Sequence, residues 1–400
     1  VYIESGAIRR LTKLCAPYQD ILIVADENTF GAAGKQVITA LEGKAVRKVL
    51  FSGKTVVIPN EDAIAVVERD LGDADLIISI GSGVLQDLCK YISHKHQVPY
   101  MVVATAPSMD GYASTGAAMI LKGMKETVAS GLPRAIIADT KVLKDAPMEM
   151  IQAGYGDIIG KYSSLCDWKL AHIVNDETLC PYIYNITYQM IEAVIDTAKG
   201  LLARDEKSVG ALMEALVIVG IMMSFAGSSR PASGSEHHLS HFFEIVGIIN
   251  DEPYFAHGID VVYSTVITAQ VREELLKKPF PDRIFRLSPN AYKAKMQEVY
   301  SVLAPECMAL QERIGNYTDR LAVYKAKEPQ IRKVLAEMPT VERILELLGL
   351  VELDISDFYA LYGKEKIQTA VAYAKDLKDR YTVLWLYYDL FGGGLDVQEH

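Results

Sequence analysis

The chain has 400 residues, half of them hydrophobic and 23% charged, which is enough for two domains with large cores. Its net charge of −10 excludes the broad basic surface of a nucleic-acid-binding protein, although a local site can still bind an anionic substrate. The longest apolar runs, such as residues 215–223, are shorter than the roughly 20 residues that span a bilayer, so we expect no membrane insertion.

Short apolar runs alternate with helical patterns through the first 150 residues. Each run has the length and composition of a buried strand, and several end at Asp, Gly or Pro. Strands that alternate with helices predict βαβ units and a mostly parallel sheet. We therefore expect an α/β domain over residues 1–150. The predicted strands are residues 21–25, 47–58, 76–80, 100–104 and 135–138, and the clearest helices between them are residues 62–71 and 85–95.

The run at 76–80 leads into Gly81-Ser-Gly-Val-Leu-Gln-Asp87 and then a helix. Glycines at such a turn let the backbone approach a phosphate, and the helix N-terminus offers N–H groups and a positive dipole end. The alternative is a plain tight turn, because Gln86 replaces the third glycine of the usual dinucleotide fingerprint. Asp26, at the end of the first predicted strand, either bonds a ribose hydroxyl of a dinucleotide or caps the next helix.

The pattern changes after about residue 150. Long segments with a period of 3.6 residues dominate, at 191–203, 208–225, 291–314 and 367–381. We expect an all-helical second domain over residues 151–400. Five widely spread cysteines, an odd number, indicate reduced thiols and a cytoplasmic protein.

Four of the eight histidines lie close together in the sequence, at His237, His238, His241 and His257. His237 and His241 share one face of a helix, because a helix turns once in 3.6 residues. Imidazole is the commonest protein ligand for zinc and related metals. The cluster predicts a metal or catalytic site in the helical domain. The alternative is a group of surface or satisfied core histidines.

Several motifs occur together along the chain. They are Gly81-Ser-Gly-Val-Leu-Gln-Asp87, Thr105-Ala-Pro-Ser-Met-Asp-Gly-Tyr-Ala-Ser114, Gly154-Tyr-Gly-Asp157, Arg230-Pro-Ala-Ser-Gly-Ser-Glu-His-His-Leu-Ser-His241 and His257-Gly. Together they resemble the glycerol-1-phosphate dehydrogenases, most closely the bacterial AraM-type members, within the superfamily of iron-containing alcohol dehydrogenases, glycerol dehydrogenases and dehydroquinate synthases. The resemblance runs from residue 1 to at least residue 270, and the later helices match only in general character.

The resemblance implies roles for individual residues. The implied metal ligands are Asp157, His237 and His257, and Asp157 follows two glycines that would let the backbone present it at a helix start. Asp110 matches a substrate-binding aspartate and His241 a substrate-contacting histidine, so the implied catalytic residues are Asp110, Asp157 and His241. His238 receives no role. The implied cofactor-binding residues, with Asp26 added from its strand-end position, are Gly81, Gly83, Val84, Leu85, Gln86, Asp87, Thr105, Ala106, Pro107, Ser108 and Ser114.

The implied activity is the NAD-dependent interconversion of dihydroxyacetone phosphate and sn-glycerol 1-phosphate, a reaction of phospholipid metabolism, with NADP as the alternative cofactor. One divalent metal is implied, either zinc or nickel, with iron as a third candidate. A homodimer or higher homo-oligomer is also expected. The residues that bind the substrate phosphate are not assigned, although Lys161 and Arg230 lie near the motifs.

Two other activities share the fold. A glycerol dehydrogenase would use the same metal and NAD but act on a free polyol. A 3-dehydroquinate synthase-type lyase is disfavoured, since it expects Glu as the first ligand and an Asp-Ser-x-Gly-Gly-Lys segment. This chain has Asp157 at the ligand position and Asp110-Gly-Tyr-Ala-Ser-Thr-Gly116 at the segment.

Overall fold

The computed structural model describes residues 1–121 and 124–400. The chain divides into two compact units, which are described separately here. Unit 1 comprises Val1–Ile158 and Glu192–Gly227, and unit 2 comprises Ile159–Ile191 and Ser228–His400. Unit 1 thus includes a helical segment from the second half of the sequence. The division into domains of residues 1–150 and 151–400 stays a prediction.

All strands of the described residues lie in unit 1. Six of them form one parallel sheet in the order β1-β8-β5-β4-β2-β3, and β6 pairs with β7 as an antiparallel hairpin. The strands are β1 Tyr2–Glu4, β2 Asp20–Asp26, β3 Ala45–Phe51, β4 Leu76–Gly81, β5 Tyr100–Ala104, β6 Gly116–Leu121, β7 Met124–Ala129 and β8 Ala135–Asp139.

The central strands match the predicted apolar runs. β4, β5 and β8 are buried along their whole length, as expected for a parallel sheet that is covered on both faces. The strand predicted at residues 47–58 is shorter, since β3 ends at Phe51 and Gly53 and Pro59 follow in an irregular segment. β1 and the β6–β7 hairpin were not predicted.

Helices make up most of the remaining chain. Short 3₁₀ segments occur at Ala7–Arg10, Gly111–Ala113, Ser301–Leu303 and Ala374–Leu377, and a π-helical turn at Phe30–Gly34. The α-helices are α1 Leu11–Leu14, α2 Glu27–Thr29, α3 Lys35–Ala40, α4 Glu61–Leu71, α5 Gly83–His96, α6 Thr140–Leu143, α7 Met148–Ile159, α8 Lys161–Asn175, α9 Pro181–Ile195, α10 Ala198–Leu202, α11 Glu206–Ala226, α12 Ser235–Asn250, α13 His257–Lys277, α14 Pro289–Tyr300, α15 Ala304–Ile314, α16 Leu321–Leu335, α17 Val341–Gly349, α18 Ile355–Tyr373 and α19 Val383–Phe391.

The predicted fold class, an α/β N-terminal region followed by an all-helical C-terminal region, is confirmed. Three predicted long helices are interrupted in the structure. The segment 191–203 breaks after α9, the segment 291–314 breaks at Ser301, where φ is 47°, and the segment 367–381 becomes 3₁₀ after Tyr373. Periodicity identified the buried faces, but backbone breaks of one or two residues do not alter it.

α11 is longer and more apolar than the run at residues 215–223 indicated. It has 21 residues, and its length and mean hydropathy of 2.1 would suffice to cross a membrane. More than half of the apolar window is buried inside the fold, and Ser224 Oγ donates a hydrogen bond to the Ala113 carbonyl at 2.8 Å. These contacts are typical of a core helix.

The order of the strands creates a switch point in the sheet. β2 pairs with β3 on one side and with β4 on the other. The connection from β2 to β3 and the connection from β3 to β4 therefore run in opposite directions across the sheet. In parallel α/β sheets, ligands bind beyond the carboxyl ends of strands at such a point. Asp26 ends β2 and Gly81 ends β4, so both predicted nucleotide-contacting positions lie at this edge.

Candidate functional site

The glycine turn after β4 leaves the start of α5 open. Ser82 precedes the helix in an extended conformation, and α5 begins at Gly83. A Cβ atom built at Gly83 would meet only the Met109 side chain, at 3.9 Å, whereas one at Gly81 would come within 2.7 Å of Leu85. Gly81 therefore permits the tight turn, and Gly83 keeps the backbone accessible to a ligand.

Two predicted cofactor-contacting side chains have other partners in the structure. Gln86 is buried and its amide donates to the Tyr112 carbonyl at 3.5 Å. Asp26 caps α2, since its Oδ1 accepts the Thr29 N–H at 2.8 Å and its own N–H donates to Thr29 Oγ1 at 3.1 Å. The cap uses one carboxylate oxygen, and contact with a ribose stays a prediction.

The segment from Thr105 to Ser114 packs closely against two helices of unit 1. A Cβ at Gly154 of α7 would lie 1.8 Å from the Pro107 carbonyl oxygen, and one at Gly220 of α11 would lie 2.6 Å from that of Asp110. Both positions therefore require glycine. Gly220 was not singled out from the sequence, where it is a lone glycine in an apolar helix.

Asp110 and Asp157 are brought together in unit 1. Asp157 is buried, and its Oδ2 accepts the Asp110 N–H at 3.0 Å. Asp157 lies near the end of α7, so the expectation that it stands at a helix start is wrong. Gly154, three residues before it, permits the close approach to Pro107 and lies within the continuous helix α7.

Lys90 holds the far end of the same segment. Its buried ammonium donates to the carbonyls of Gly111 at 2.9 Å and Gly116 at 2.8 Å, and to Ser114 Oγ at 3.2 Å. Burial lowers the pKa of Lys90, and the nearby Asp87 carboxylate opposes that effect. Ser114, predicted to contact NAD, therefore has a structural partner, and its contact with the cofactor stays a prediction.

The predicted histidine cluster forms within unit 2. Ring centroids lie 5.1 Å apart for His237 and His257, 5.5 Å for His241 and His257, and 6.1 Å for His237 and His241. His237 and His241 lie one turn apart on α12, and His257 is the first residue of α13. The two helices pack as neighbours and bring the three rings together.

A buried carboxylate orients His237. Glu236 Oε1 lies 2.7 Å from His237 Nδ1 and also accepts the Gly234 N–H at 2.7 Å. Since a carboxylate oxygen accepts, Nδ1 carries the proton and Nε2 keeps its lone pair for a metal. Burial raises the pKa of Glu236, while the N–H groups of Gly234 and Glu236 and the charge of Lys161 oppose that rise.

A second buried carboxylate fixes the first turn of α12. Asp167 of α8 accepts the Ser235 N–H at 2.6 Å with one oxygen. Its other oxygen accepts from Arg272 at 3.1 Å and from the Val383 N–H at 2.9 Å. One side chain thus joins α8 and α19 to α12 and α13, the two helices that carry the histidines.

Tyr362 supports the start of α13 in the same way. Its hydroxyl donates to the buried Asp260 carboxylate at 2.9 Å and accepts the Phe255 N–H at 3.3 Å. Its ring stacks on Phe243 of α12 at 4.0 Å between centroids. Tyr362 therefore ties together the two helices that carry the histidines.

The donor atoms of this cluster suit a divalent cation. One ligand atom each from His241, Glu244 and His257 lie within 4.8 Å of one another, and the three side chains are half-buried. Nitrogen and oxygen donors at this spacing leave room for one ion of the zinc, nickel or iron type. Glu244 was not predicted, although it stands three residues after His241 on the same face of α12.

His238, the fourth histidine of this stretch, has different surroundings from the three converging rings. It is fully buried, and its ring nitrogens have no hydrogen-bond partner among residues 1–121 and 124–400. Burial, followed by the charges of Lys378, Arg380 and Arg230, lowers the pKa of His238 well below its usual value. The imidazole is therefore neutral.

Sequence comparison identifies relatives along most of the chain. The family model for iron-containing alcohol dehydrogenases matches residues 2–147. A glycerol-1-phosphate dehydrogenase [NAD(P)+] of Geobacillus thermodenitrificans is 34% identical over 326 residues, covering 73% of this chain and 80% of the relative. That of Geobacillus stearothermophilus is 31% identical, covering 93% and 87% of the two chains.

The chain belongs to the glycerol-1-phosphate dehydrogenase family. An archaeal member from Methanosarcina acetivorans is 36% identical, covering 60% of this chain and 68% of the relative. The family resemblance read from the motifs is thereby confirmed.

Solved structures of more distant proteins share the fold. A probable glycerol dehydrogenase from Sinorhizobium meliloti aligns with a TM-score of 0.65 at 14% identity, covering 98% of this chain and 95% of that chain. An iron-containing alcohol dehydrogenase from Thermococcus thioreducens gives a TM-score of 0.63 at 13% identity, covering 96% of each chain. At 13–14% sequence identity, the structural similarity shows that this chain and the two solved proteins share a fold.

Proposed function

We propose that the protein is a metal-dependent sn-glycerol-1-phosphate dehydrogenase that interconverts dihydroxyacetone phosphate and sn-glycerol 1-phosphate with NAD(H), or with NADP(H) as the alternative. The observation that carries the proposal is the sequence identity of 31–36% to family members from bacteria and archaea. The converging histidines of α12 and α13 support it, because a ketone reductase of this kind needs an electrophile at the carbonyl oxygen.

We propose Asp157, His237 and His257 as the metal ligands. A histidine that binds a metal through Nε2 needs a free lone pair on that atom and a proton on Nδ1. His237 is held in this state by Glu236, which accepts a hydrogen bond from its Nδ1. His257 Nδ1 lies 3.4 Å from Ser240 Oγ, which orients its ring similarly. The proposal for Asp157 rests on the family resemblance. When bound, the metal would polarise the carbonyl and stabilise the developing alkoxide.

Residues of the chain supply binding and proton transfer. We propose that His241 and Asp110 orient the substrate hydroxyl and carbonyl groups and pass a proton to the oxygen that becomes the alcohol. The Gly81–Asp87 turn and the Thr105–Ser108 segment hold the cofactor, which supplies the hydride. The close packing of the Thr105–Ser114 segment on α7 and α11 fixes the position of Asp110.

The test is a substrate panel with stereochemical analysis. Purified protein, with its metal content measured, is assayed with NADH and either dihydroxyacetone phosphate or dihydroxyacetone. We expect turnover of the phosphate ester and a product that an sn-glycerol-3-phosphate-specific dehydrogenase does not oxidise. Faster turnover of plain dihydroxyacetone would favour a glycerol dehydrogenase, and a product that the second enzyme accepts would refute the assigned stereochemistry.

The cytoplasmic location and the oligomeric state of the enzyme are also proposals. Cys15, Cys89, Cys166 and Cys307 are buried free thiols and Cys180 is a half-buried one, which suits a reducing cytoplasm. A homodimer or higher homo-oligomer, expected from the family resemblance, is tested by light scattering coupled to size-exclusion chromatography. A monomer at micromolar concentration would contradict it.

A further inference from the structure

Lys90 is a buried cation to which the proposed function gives no part. It lies on α5, about two turns after Gly83, and its side chain is fully buried. Removing an ammonium from water is costly unless its donors find partners, and an apolar side chain would fill the same space without that cost. A buried charge at this position therefore indicates a task beyond packing.

The hydrogen-bond donors of this ammonium converge on one short stretch of unit 1, which we call the 111–116 turn. Lys90 Nζ donates to the Gly111 carbonyl at 2.9 Å and to the Gly116 carbonyl at 2.8 Å. It also donates to Ser114 Oγ at 3.2 Å, and Ser114 Oγ lies 3.0 and 3.1 Å from the same two carbonyl oxygens. An ammonium carries three donors, so both ends of the turn are closed around a single charge.

Gln86 approaches the same turn from the same face of α5. It stands four residues before Lys90, and residues at this spacing are neighbours on a helix surface. Its amide donates to the Tyr112 carbonyl at 3.5 Å, which is long for a hydrogen bond between neutral groups. The shorter, charge-assisted bonds of Lys90 are the stronger ones, so the ammonium supplies most of the hold.

Asp110 immediately precedes this turn and is fixed from both sides. Its own N–H donates to Asp157 Oδ2 at 3.0 Å, and the carbonyl of the next residue, Gly111, accepts from Lys90. Burial lowers the pKa of Lys90, and the negative charges of Asp87 and Asp110 oppose that effect. Electrostatic attraction between Lys90 and Asp110 thus acts in the same direction as the hydrogen bonds.

The position of α5 itself depends on other groups. The helix packs against β4 and β5, and its Leu88, Cys89 and Ile92 side chains are fully buried. These apolar groups keep α5 on the sheet without help from the ammonium. Removing the ammonium should therefore affect mainly the 111–116 turn and the residue before it.

We propose that Lys90 is a positioning residue, whose ammonium holds the 111–116 turn against α5 and thereby places Asp110 for the substrate. The same helix begins at the glycine turn proposed for the cofactor, so the hold sets Asp110 relative to the bound nicotinamide cofactor. The consequence for the substrate rests on the proposed function, whereas the hold on the turn does not. Lys90 is enclosed by protein and acts only through the turn.

The first test measures the hold without turnover, by hydrogen–deuterium exchange with mass spectrometry. The amides of Asp110 and Ser114 are hydrogen-bonded, so they report on the turn. In Lys90→Met we expect peptides that cover them to exchange at least about 10-fold faster, while peptides of β4 and β5 keep their protection. The control is Lys95→Met on the same helix, whose ammonium is half-exposed and pairs with Glu68.

Unchanged exchange of the turn in Lys90→Met would overturn the hold. If that variant does not fold, Ser114→Ala decides the matter, because it removes one acceptor and leaves the buried ammonium in place. It should speed exchange of the turn to a smaller extent. Wild-type exchange in Ser114→Ala would then overturn the proposal.

The second test separates positioning from a purely structural role. In Lys90→Met, kcat/KM for dihydroxyacetone phosphate should fall about 100-fold, because a displacement of about 1 Å at a reacting group can cost this much. The Kd for NADH, measured from nicotinamide fluorescence, should stay within about threefold. Lys90→Arg should restore part of the turnover, since a guanidinium also donates several N–H bonds. Equal losses of NADH binding and turnover would mean that Lys90 serves only the stability of the domain.

A double-mutant cycle shows whether the effect passes through Asp110. In an Asp110→Asn background, Lys90→Met should lower turnover little further, whereas additive losses would overturn the link to Asp110. Wild-type protein that does not reduce dihydroxyacetone phosphate would refute the proposed function and leave the exchange result on the turn standing.

Discussion

His237 gains its orientation from the buried carboxylate beside it. We expect Glu236→Gln to weaken metal affinity about 10- to 100-fold, because an amide holds the ring less firmly and lowers its basicity. Competition with a chelating dye measures this affinity directly. The control is Glu252→Gln, whose carboxylate pairs with Lys366 at the surface. Unchanged affinity in Glu236→Gln would mean that the helix alone orients the imidazole.

The assignment of Asp157, His237 and His257 as metal ligands predicts a larger loss of metal affinity when any of them is replaced. Asp157→Ala, His237→Ala and His257→Ala should each lose bound metal by more than about 100-fold, since a direct ligand costs more than a supporting residue. Metal content is measured by mass spectrometry, and near-ultraviolet circular dichroism checks the fold. His238→Gln, at an adjacent buried position, should keep its metal. Full metal in His237→Ala would refute the assignment.

Asp26 offers a test of cofactor choice that preserves local structure. Serine also caps helices, so Asp26→Ser keeps a cap on α2 and removes the charge. If the carboxylate repels a 2′-phosphate by about 1 kcal/mol, the preference for NADH over NADPH in kcat/KM should fall roughly fivefold. An unchanged ratio would assign cofactor choice to another residue and leave Asp26 with its capping role alone.

At the level of whole elements, α7 and α11 depend on glycines that face the Thr105–Ser114 segment. Gly154→Ala would place a methyl group 1.8 Å from the Pro107 carbonyl oxygen, so we expect about 1–3 kcal/mol of destabilisation in urea unfolding. Gly349→Ala is the matched control. It lies in α17 with nothing within 4 Å, and it should be neutral or slightly stabilising. Equal stability of the two variants would show that the segment can move away from α7.

The sequence predicted elements best where burial is continuous. Apolar runs identify β2, β4, β5 and β8 because strands covered on both faces carry few polar residues. The β6–β7 hairpin escaped prediction because Gly116–Leu121 follows a loop motif and lacks a clear alternation. Interruptions such as the one after α9 were also missed, because a short break keeps the apolar face in register.

The candidate site was predictable only where its residues are close in sequence. The histidines of α12 share a helix face, so their spacing reveals them. Glu236 stands next to His237, but no sequence pattern distinguishes a carboxylate that binds an imidazole from one that only favours a helix start. Tyr362 and Asp167 gave no signal, since their contacts with Phe255 and Ser235 exist only after folding.

For the whole molecule, metal binding should contribute to stability. A ligand that binds only the folded state at 100 times its Kd adds about 2.7 kcal/mol. We therefore expect a chelator to lower the melting temperature and added zinc or nickel to restore it, as measured by differential scanning calorimetry. His237→Ala serves as the control, because its melting temperature should not respond to the chelator. An equal response in both proteins would place the stabilising metal elsewhere.

The contacts of the buried Asp167 carboxylate with three other helices limit which substitutions the family can accept during evolution. Its two oxygens accept from Ser235, Arg272 and Val383, which belong to three other helices. Replacing Asp167 alone would leave a buried guanidinium without its anion, and replacing Arg272 alone would leave a buried carboxylate in excess. Descendants are therefore viable mainly when both charges are kept or exchanged together. Across many homologous sequences, positions 167 and 272 should covary, whereas position 383, which contributes only a backbone N–H, should drift freely among apolar residues.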